Sequence, residues 1–435
     1  MPLTTAIAGP WAAQEVCLGG QPRIGLWRHR NFLKLWTGQS ISQLGSQMTL
    51  LALPLTAALL LNASPLEMGI LSAVEMAPFL LIGLPAGVWV DRWPRRPLLI
   101  AGDVGRALVL VTVPVGYFAG LLTMGQLYVV AFASGILTVF FDVAYMSYLP
   151  SLVERDQLTE GNSKLETTRA GAEIAGPGLA GTLVDLLSAP LAIAFDALSY
   201  VVSAAFVWNI KADESAALGA RAGQRNGLWV EVGEGLRYVL THAHLRSIAG
   251  CTATSNLFSS ALGAVYILFA VHELKLEPAT IGLIFAVGNV GFLIGAALAG
   301  RVADRLGLGP AIVVAALQGG LGQLLIPLAT PATAVQLLIA AGLIRGLAVP
   351  VYNINQVSLR QAITPDRLQG RMNATMRFVV WGTLPIGALL GGTLGEAIGL
   401  RPTIAIVALG GTLSFLLVLL SPVRALQVQP TAVEL

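Results

Sequence analysis

Twelve apolar runs follow one another along the chain, each about the 20 residues needed to cross roughly 30 Å of hydrocarbon. They lie near 33–61, 67–90, 98–120, 126–149, 167–187 and 190–209, then near 247–271, 279–300, 310–330, 334–358, 374–398 and 401–422, and are called spans 1 to 12. Charged residues make up 11% of the 435 positions against 55% hydrophobic ones, less than half of the roughly 25% found in soluble domains. So little charge cannot cover so much apolar chain in water, and a bilayer is the expected solvent. In lipid every backbone amide must be bonded within its own segment or in a closed barrel, and continuous rather than alternating apolar runs argue against a barrel. The expected fold class is all-α integral membrane with twelve transmembrane helices. Asn62-Ala63-Ser64-Pro65, Ser188-Ala189-Pro190, Thr330-Pro331 and Thr364-Pro365-Asp366 mark helix ends. Pro54, Pro78, Pro114, Pro327, Pro350 and Pro385 inside spans predict kinks.

Of 26 Lys and Arg residues, 23 fall in, or at the span ends beside, the N-terminal segment, the tail and every second loop; the alternate loops hold Lys275 and Arg401, and Arg345 lies within span 10. Basic loops stay in the cytoplasm, so both termini are expected there. Residues 1–20 lack the basic-then-apolar pattern of a cleavable signal. Cys17 and Cys251 have no paired spacing, so neither a disulfide framework nor a thiolate metal site is expected. Arg outnumbers Lys 22 to 4, pointing to a GC-rich bacterial genome and the cell membrane.

Gly87-Val-Trp-Val-Asp91-Arg92 after span 2 recurs as Gly300-Arg-Val-Ala-Asp304-Arg305 after span 8, an offset of 213; Asp156-Gln-Leu158 and Asp366-Arg-Leu368 repeat at 210. Six spans per half give two bundles in the same orientation, related by an axis along the membrane normal. The expected division is 1–32 cytoplasmic segment, 33–210 first bundle, 211–245 linker, 246–423 second bundle and 424–435 tail. Trp229, Val232, Leu236 and Val239 recur at helical spacing in the linker, which predicts an amphipathic helix on the cytoplasmic surface. Asp91 offers a carboxylate at a helix end, with Arg92, Arg95 and Arg96 as nearby cations. Facing a helix N-terminus of the other bundle, it would favour one closure state by on the order of 1 kcal/mol; the arginines need do no more than set topology.

Gly87-x-x-x-Asp91-Arg92-x-x-Arg95-Arg96, with twelve helices in two sixes, resembles the major facilitator superfamily, whose signature has glycine where Pro94 stands; the second copy ends at Gly307 without a basic pair. Tyr148-Leu-Pro-Ser-Leu-Val-Glu-Arg-Asp-Gln-Leu158, Asn162-Ser163 and Phe195-Asp196-Ala-Leu-Ser-Tyr200 resemble the subgroup of bacterial macrolide efflux proteins and the enterobactin exporter. Gly176-Pro177-x-x-Ala180-Gly181 in span 5 is a degraded form of the motif that the superfamily associates with exporters. The resemblance implies that spans 2, 5, 8 and 11 line the contact between bundles. Each is glycine-rich: Gly69, Gly83 and Gly87; Gly171, Gly176, Gly178 and Gly181; Gly288, Gly291 and Gly295; Gly387, Gly391, Gly395 and Gly399. Side-chain-free stripes let helices touch and slide.

Glu75, Asp142, Asp196 and Arg345 fall inside spans, where each ionisable group costs at least about 2.5–3.5 kcal/mol. Asp103 with Arg106, and Glu166 with Arg169, are spaced as local pairs. Glu75 and Asp142 are the candidates for proton uptake and release, Arg345 being the cation either could pair with. Gln39, Gln43 and Gln47 of span 1, with Tyr145, Tyr266, Asn289, Asn353, Gln356 and Trp381, form a candidate cavity for a bulky amphipathic molecule. No phosphate-binding loop, His-Glu-x-x-His or Gly-x-Ser-x-Gly occurs. The expected protein is therefore a proton-coupled exporter of hydrophobic or amphipathic small molecules, not an enzyme. It needs no cofactor, metal or nucleic acid, and works as a monomer. A symporter importing a solute and a transport-inactive receptor or assembly protein are the alternatives.

Overall fold

The computed structural model describes residues 26–90, 92–211 and 228–430. Among them, ten helices are long and apolar enough to cross a membrane. Two more complete the twelve spans. Span 2 is broken at Ile82 into Pro65–Leu81 and Gly83–Val90; span 5, Leu158–Leu186, is 29 residues long but carries five charges in its first two thirds. The other spans are Arg30–Leu60, Arg95–Phe118, Met124–Leu152, Ala189–Trp208, Ala243–Leu268, Pro278–Leu306, Leu308–Gln323, Ala334–Ile363, Asp366–Ile398 and Leu400–Leu413. The last is extended by Leu416–Leu419. Spans 5 and 11 begin eight or nine residues before their apolar runs, because a helix continues past the interface where charged side chains meet water. Pro327 sits in the 3-10 turn Ile326–Leu328 beyond span 9 and kinks nothing.

Local sequence sets the ends. His29 Nδ1 accepts from Phe32 N (3.1 Å) at the start of span 1. Ser64 and Glu67 form a reciprocal capping box ahead of span 2, with Pro65 at the first helical position. Gly307 (φ +88°) and Gly399 (φ +87°) terminate spans 8 and 11 in a conformation open to glycine.

Packing makes the duplication visible. In the first half span 1 packs on 5 and 6, span 3 on 4 and 6, and span 2 on 4; in the second, span 7 packs on 11 and 12, span 9 on 10 and 12, and span 8 on 10. Every pair has its counterpart. The halves meet through spans 5 and 8, spans 2 and 11, and a smaller contact of span 7 with 2. The chain is thus an all-α membrane protein of two like-oriented six-helix bundles.

The face bearing the start of span 1, the linker helix and the end of span 12 is called proximal, the other distal. Here the two halves tie corresponding ends by different means. Arg96 donates through Nε to Val207 O (3.3 Å) and through Nη2 to Trp208 O, joining the start of span 3 to the end of span 6. In the second half, where the basic pair is missing, Leu308 N and Gly309 N donate to Gln427 O (3.1 Å) and Leu426 O (2.7 Å). A Cβ on Gly309 would stand 2.0 Å from Val423 O. Gly309→Ala is therefore expected to cost about 1–3 kcal/mol, read as a lower unfolding temperature in detergent.

The linker helix, Leu228–Thr241, docks on span 11 through Gly235 and the Glu234–Arg371 ion pair, and on the end of span 10 through Tyr238 Oη, which donates to Ile363 O at 3.2 Å. Val239 is buried as the helical spacing predicts, but Leu236 is exposed, because small Gly235 occupies the contact face. The side chains of Trp229 and Val232 lie outside the described residues.

Candidate transport cavity and gates

Between the halves lies a cavity of about 590 Å³, walled by spans 1, 2, 5, 7, 8, 9 and 10. Its lining comes from the distal half of each span: Leu50 to Pro54 of span 1, Met68 to Glu75 of span 2, Leu262 to Ile267 of span 7 and Leu338 to Val349 of span 10. Most of it is apolar. Glu75 and Arg345 are the acid and the base in its wall, and neither takes part in an ion pair within 4 Å among the described residues. Arg345 is exposed although it lies deep in a span, because its side chain opens into this space. Gln47, Tyr266 and Asn289 line the same cavity. Tyr266 lies 5.4 Å from Phe285, ring to ring, and Asn289 Nδ2 also crosses to donate to Glu173 O of span 5.

The other cavity candidates fall elsewhere. Gln39, Gln43 and Tyr145 line a separate cleft of about 60 Å³ between spans 1, 4 and 5, toward the proximal face. Asn353 is one turn beyond Val349 on the stripe that carries Arg345, and is exposed below the cavity. Gln356 lies about two turns beyond the cavity lining and is buried. Trp381 of span 11 meets Phe79 of span 2 edge to face at 5.9 Å, with Arg377 5.0 Å from its ring centre. Polar residue type alone did not resolve helical phase or depth.

Asp142 does not share the cavity with Glu75. It faces Arg106 inside the first half, in a cluster that residue spacing only half disclosed. Arg106 is buried, bonds Asp103 at 2.5 Å, and lies between the rings of Phe141 and Tyr200, each centroid 4.1 Å from its Cζ. Asp196, also buried, accepts from Thr49 Oγ1 (2.5 Å) and Ser199 Oγ (3.0 Å), in room left by Gly45. Arg106 interacts electrostatically with Asp103, Asp142 and Asp196. One cation thus serves three carboxylates brought in by spans 3, 4 and 6. Glu166 and Arg169 form the local pair their spacing predicts.

Above the cavity the halves are closed at the distal face. The exporter-motif residues run from the cavity wall up to this closure: Gly176 makes room for Gln47 of span 1, while Pro177 O and Gly181 are packed against Gly282 and Pro278 of span 8. At the related contact Gly69 of span 2 meets Ala388 O and Gly392 of span 11. Toward the proximal face, a Cβ at Gly83, Gly87, Gly171 or Gly300 would meet nothing within 4 Å. The glycines therefore divide by depth. Two stripes also serve a partner other than the one expected: Gly288, Gly291 and Gly295 seat span 8 on span 10, and Gly387 and Gly391 seat span 11 on span 7, within one half.

Of the loop motif, Asp91 lies outside the described residues. Arg92, Asp304 and Arg305 are exposed, Arg95 is buried, and Arg96 is the tie to span 6.

Residues 24–433 match the family described as transmembrane secretion effectors. The chain belongs to the major facilitator superfamily. This transporter is 27% identical over 378 residues to the multidrug efflux pump Tap of Mycolicibacterium fortuitum, covering 84% of this chain and 89% of that one. It is 23% identical over 374 residues to macrolide efflux protein A of Streptococcus pyogenes, covering 85% and 90%. Among solved structures, a bacterial homologue of the iron transporter ferroportin in an inward-facing state superposes with TM-score 0.68 at 19% identity, over 90% of this chain and 98% of that one. A bacterial homologue of the lysosomal transporter Spinster, inward-facing and occupied, gives 0.69 at 13%, over 92% and 97%. These two likenesses concern the fold.

Proposed function

We propose that this major facilitator transporter exports a hydrophobic or amphipathic small molecule from the cytoplasm in exchange for protons, by alternating access. The observation that carries the reading is a largely apolar cavity of about 590 Å³ holding Glu75 and Arg345 out of ion-pair contact. An apolar wall with few polar groups suits a bulky amphipathic ligand. An acid in such a wall, wetted from one side and then the other, can take a proton on the acidic side and release it on the other while ligand and proton compete for the site. One charge crossing 100 mV supplies about 2.3 kcal/mol before any pH difference is added. The efflux activities named for the two relatives support the outward direction, and the basic proximal loops support a cytoplasmic proximal face in a bacterial cell membrane.

The test uses everted membrane vesicles with the interior made acid, and a labelled macrolide and a lipophilic cationic dye as probes. Vesicles containing the transporter are expected to accumulate at least one probe, and Glu75→Gln is expected to reduce accumulation to that of protein-free vesicles. Loading only in right-side-out vesicles would identify an importer, and no movement in either a receptor. Gradient-driven transport by Glu75→Gln at the parent rate would remove Glu75 from the mechanism.

A further inference from the structure

Spans 5 and 11 end on similar short sequences, Gly181-Thr182-Leu183-Val184-Asp185 and Gly392-Thr393-Leu394-Gly395-Glu396, at an offset of 211. The helix starts they meet also correspond: Pro278-Ala279 and Gly282 of span 8 match Pro65-Leu66 and Gly69 of span 2 at an offset of 213. Each crossing is made backbone to backbone by one glycine from either side. One turn past the glycine, an acid reaches the first turn of the helix opposite. Asp185 Oδ2 accepts from Ala279 N at 2.9 Å, and Glu396 Oε2 accepts from Leu66 N at 3.4 Å.

The first N–H groups of a helix have no acceptor within it, and they mark its positive end. A carboxylate placed there satisfies both. Both bonds run from one half to the other, so any tilt that opens the distal face must break them. Neither acid is needed to build a helix or fill a core, since both are exposed. We infer that Asp185 and Glu396 are a matched pair of distal latches, positioning residues that hold the gate shut over the loaded cavity and release together when the halves rock. The glycine crossings give closure its shape, and the acids bias how often it is closed. Asp185, with the shorter bond, carries the larger share. The assignment is independent of the coupling ion and of the cargo.

The test reads access to the cavity from the distal side. Gly263 lines the cavity and has open space where a Cβ would stand, so Gly263→Cys, in the full chain carrying Cys17→Ser and Cys251→Ala, is the reporter. A membrane-impermeant maleimide is applied to intact cells, whose outside is the distal side in the orientation proposed above, with Gly282→Val as the variant that wedges the gate. Asp185→Asn with Glu396→Gln is expected to raise the labelling rate about threefold to thirtyfold, from the usual worth of two carboxylates at helix N-termini, with an unchanged unfolding temperature. Spin labels at Leu187 and Lys275 give a second readout, whose distance distribution is expected to shift toward longer values in the double variant. Labelling at the parent rate alongside faster labelling of Gly282→Val, or an unchanged distance distribution, overturns the assignment. Neither readout requires transport, so it succeeds or fails separately from the proposed export.

Discussion

Gly282→Val is expected to abolish transport while leaving the protein in the membrane. A Cβ at Gly282 would lie 2.2 Å from the carbonyl oxygen of Pro177 and 3.0 Å from its carbon, with Gly181 Cα at 3.2 Å. All three are backbone atoms, so no side chain can swing aside, and spans 5 and 8 must separate. Overpacking of this kind costs about 1–3 kcal/mol in the closed arrangement and nothing once the gate is open. A bias of that size shifts a two-state population by roughly 5- to 150-fold. The same substitution at Gly171, which meets nothing within 4 Å, is expected to leave the distal-closed state undisturbed. Transport rate per copy, with expression checked by detergent-solubilised yield, separates the two; a fully active Gly282→Val would show that the crossing does not close the pathway.

Arg106→Leu is the second large effect, and it is one of stability. Removing one partner of a buried charge pair typically costs about 3–5 kcal/mol, because the charge left behind has neither water nor counter-ion. Here three carboxylates lose the same cation. The guanidinium also leaves the space between Phe141 and Tyr200, giving up two cation–π contacts. The variant is expected to be recovered in low yield with a clearly depressed unfolding temperature. Asp103→Asn added to it is expected to restore part of the loss, since one uncompensated charge is then gone. Equal stability of the single and double variants would mean that Asp103 is not held by Arg106.

The span count and the duplication were legible because both depend on long-range regularities: the thickness of hydrocarbon and a motif spaced by half a chain. Glu75 and Arg345 stand out in the sequence because ionisable residues in lipid are rare, and the structure puts both in the wall of one cavity. Contact partners were not. A stripe such as Gly288, Gly291 and Gly295 says that something comes close but not what, and span 10, not the opposite half, fills it. Arg106 looked like half of a local pair because the residues it also serves, Asp142 and Asp196, are distant in sequence. The latch acids carried a signal in the repeated Gly-Thr-Leu ending of spans 5 and 11, but surface acids at helix ends are common. Only the backbone amide opposite each one gives it meaning.

The pinning of Leu426 and Gln427 to the start of span 9 has a practical side. These residues work as an anchor, not as a trailing end, so a reporter protein or affinity handle joined upstream of them would strip two acceptors from Leu308 and Gly309 and loosen the second bundle. Fusions that begin beyond Gln429, whose amide donates to Ser358 O, would leave that anchor whole.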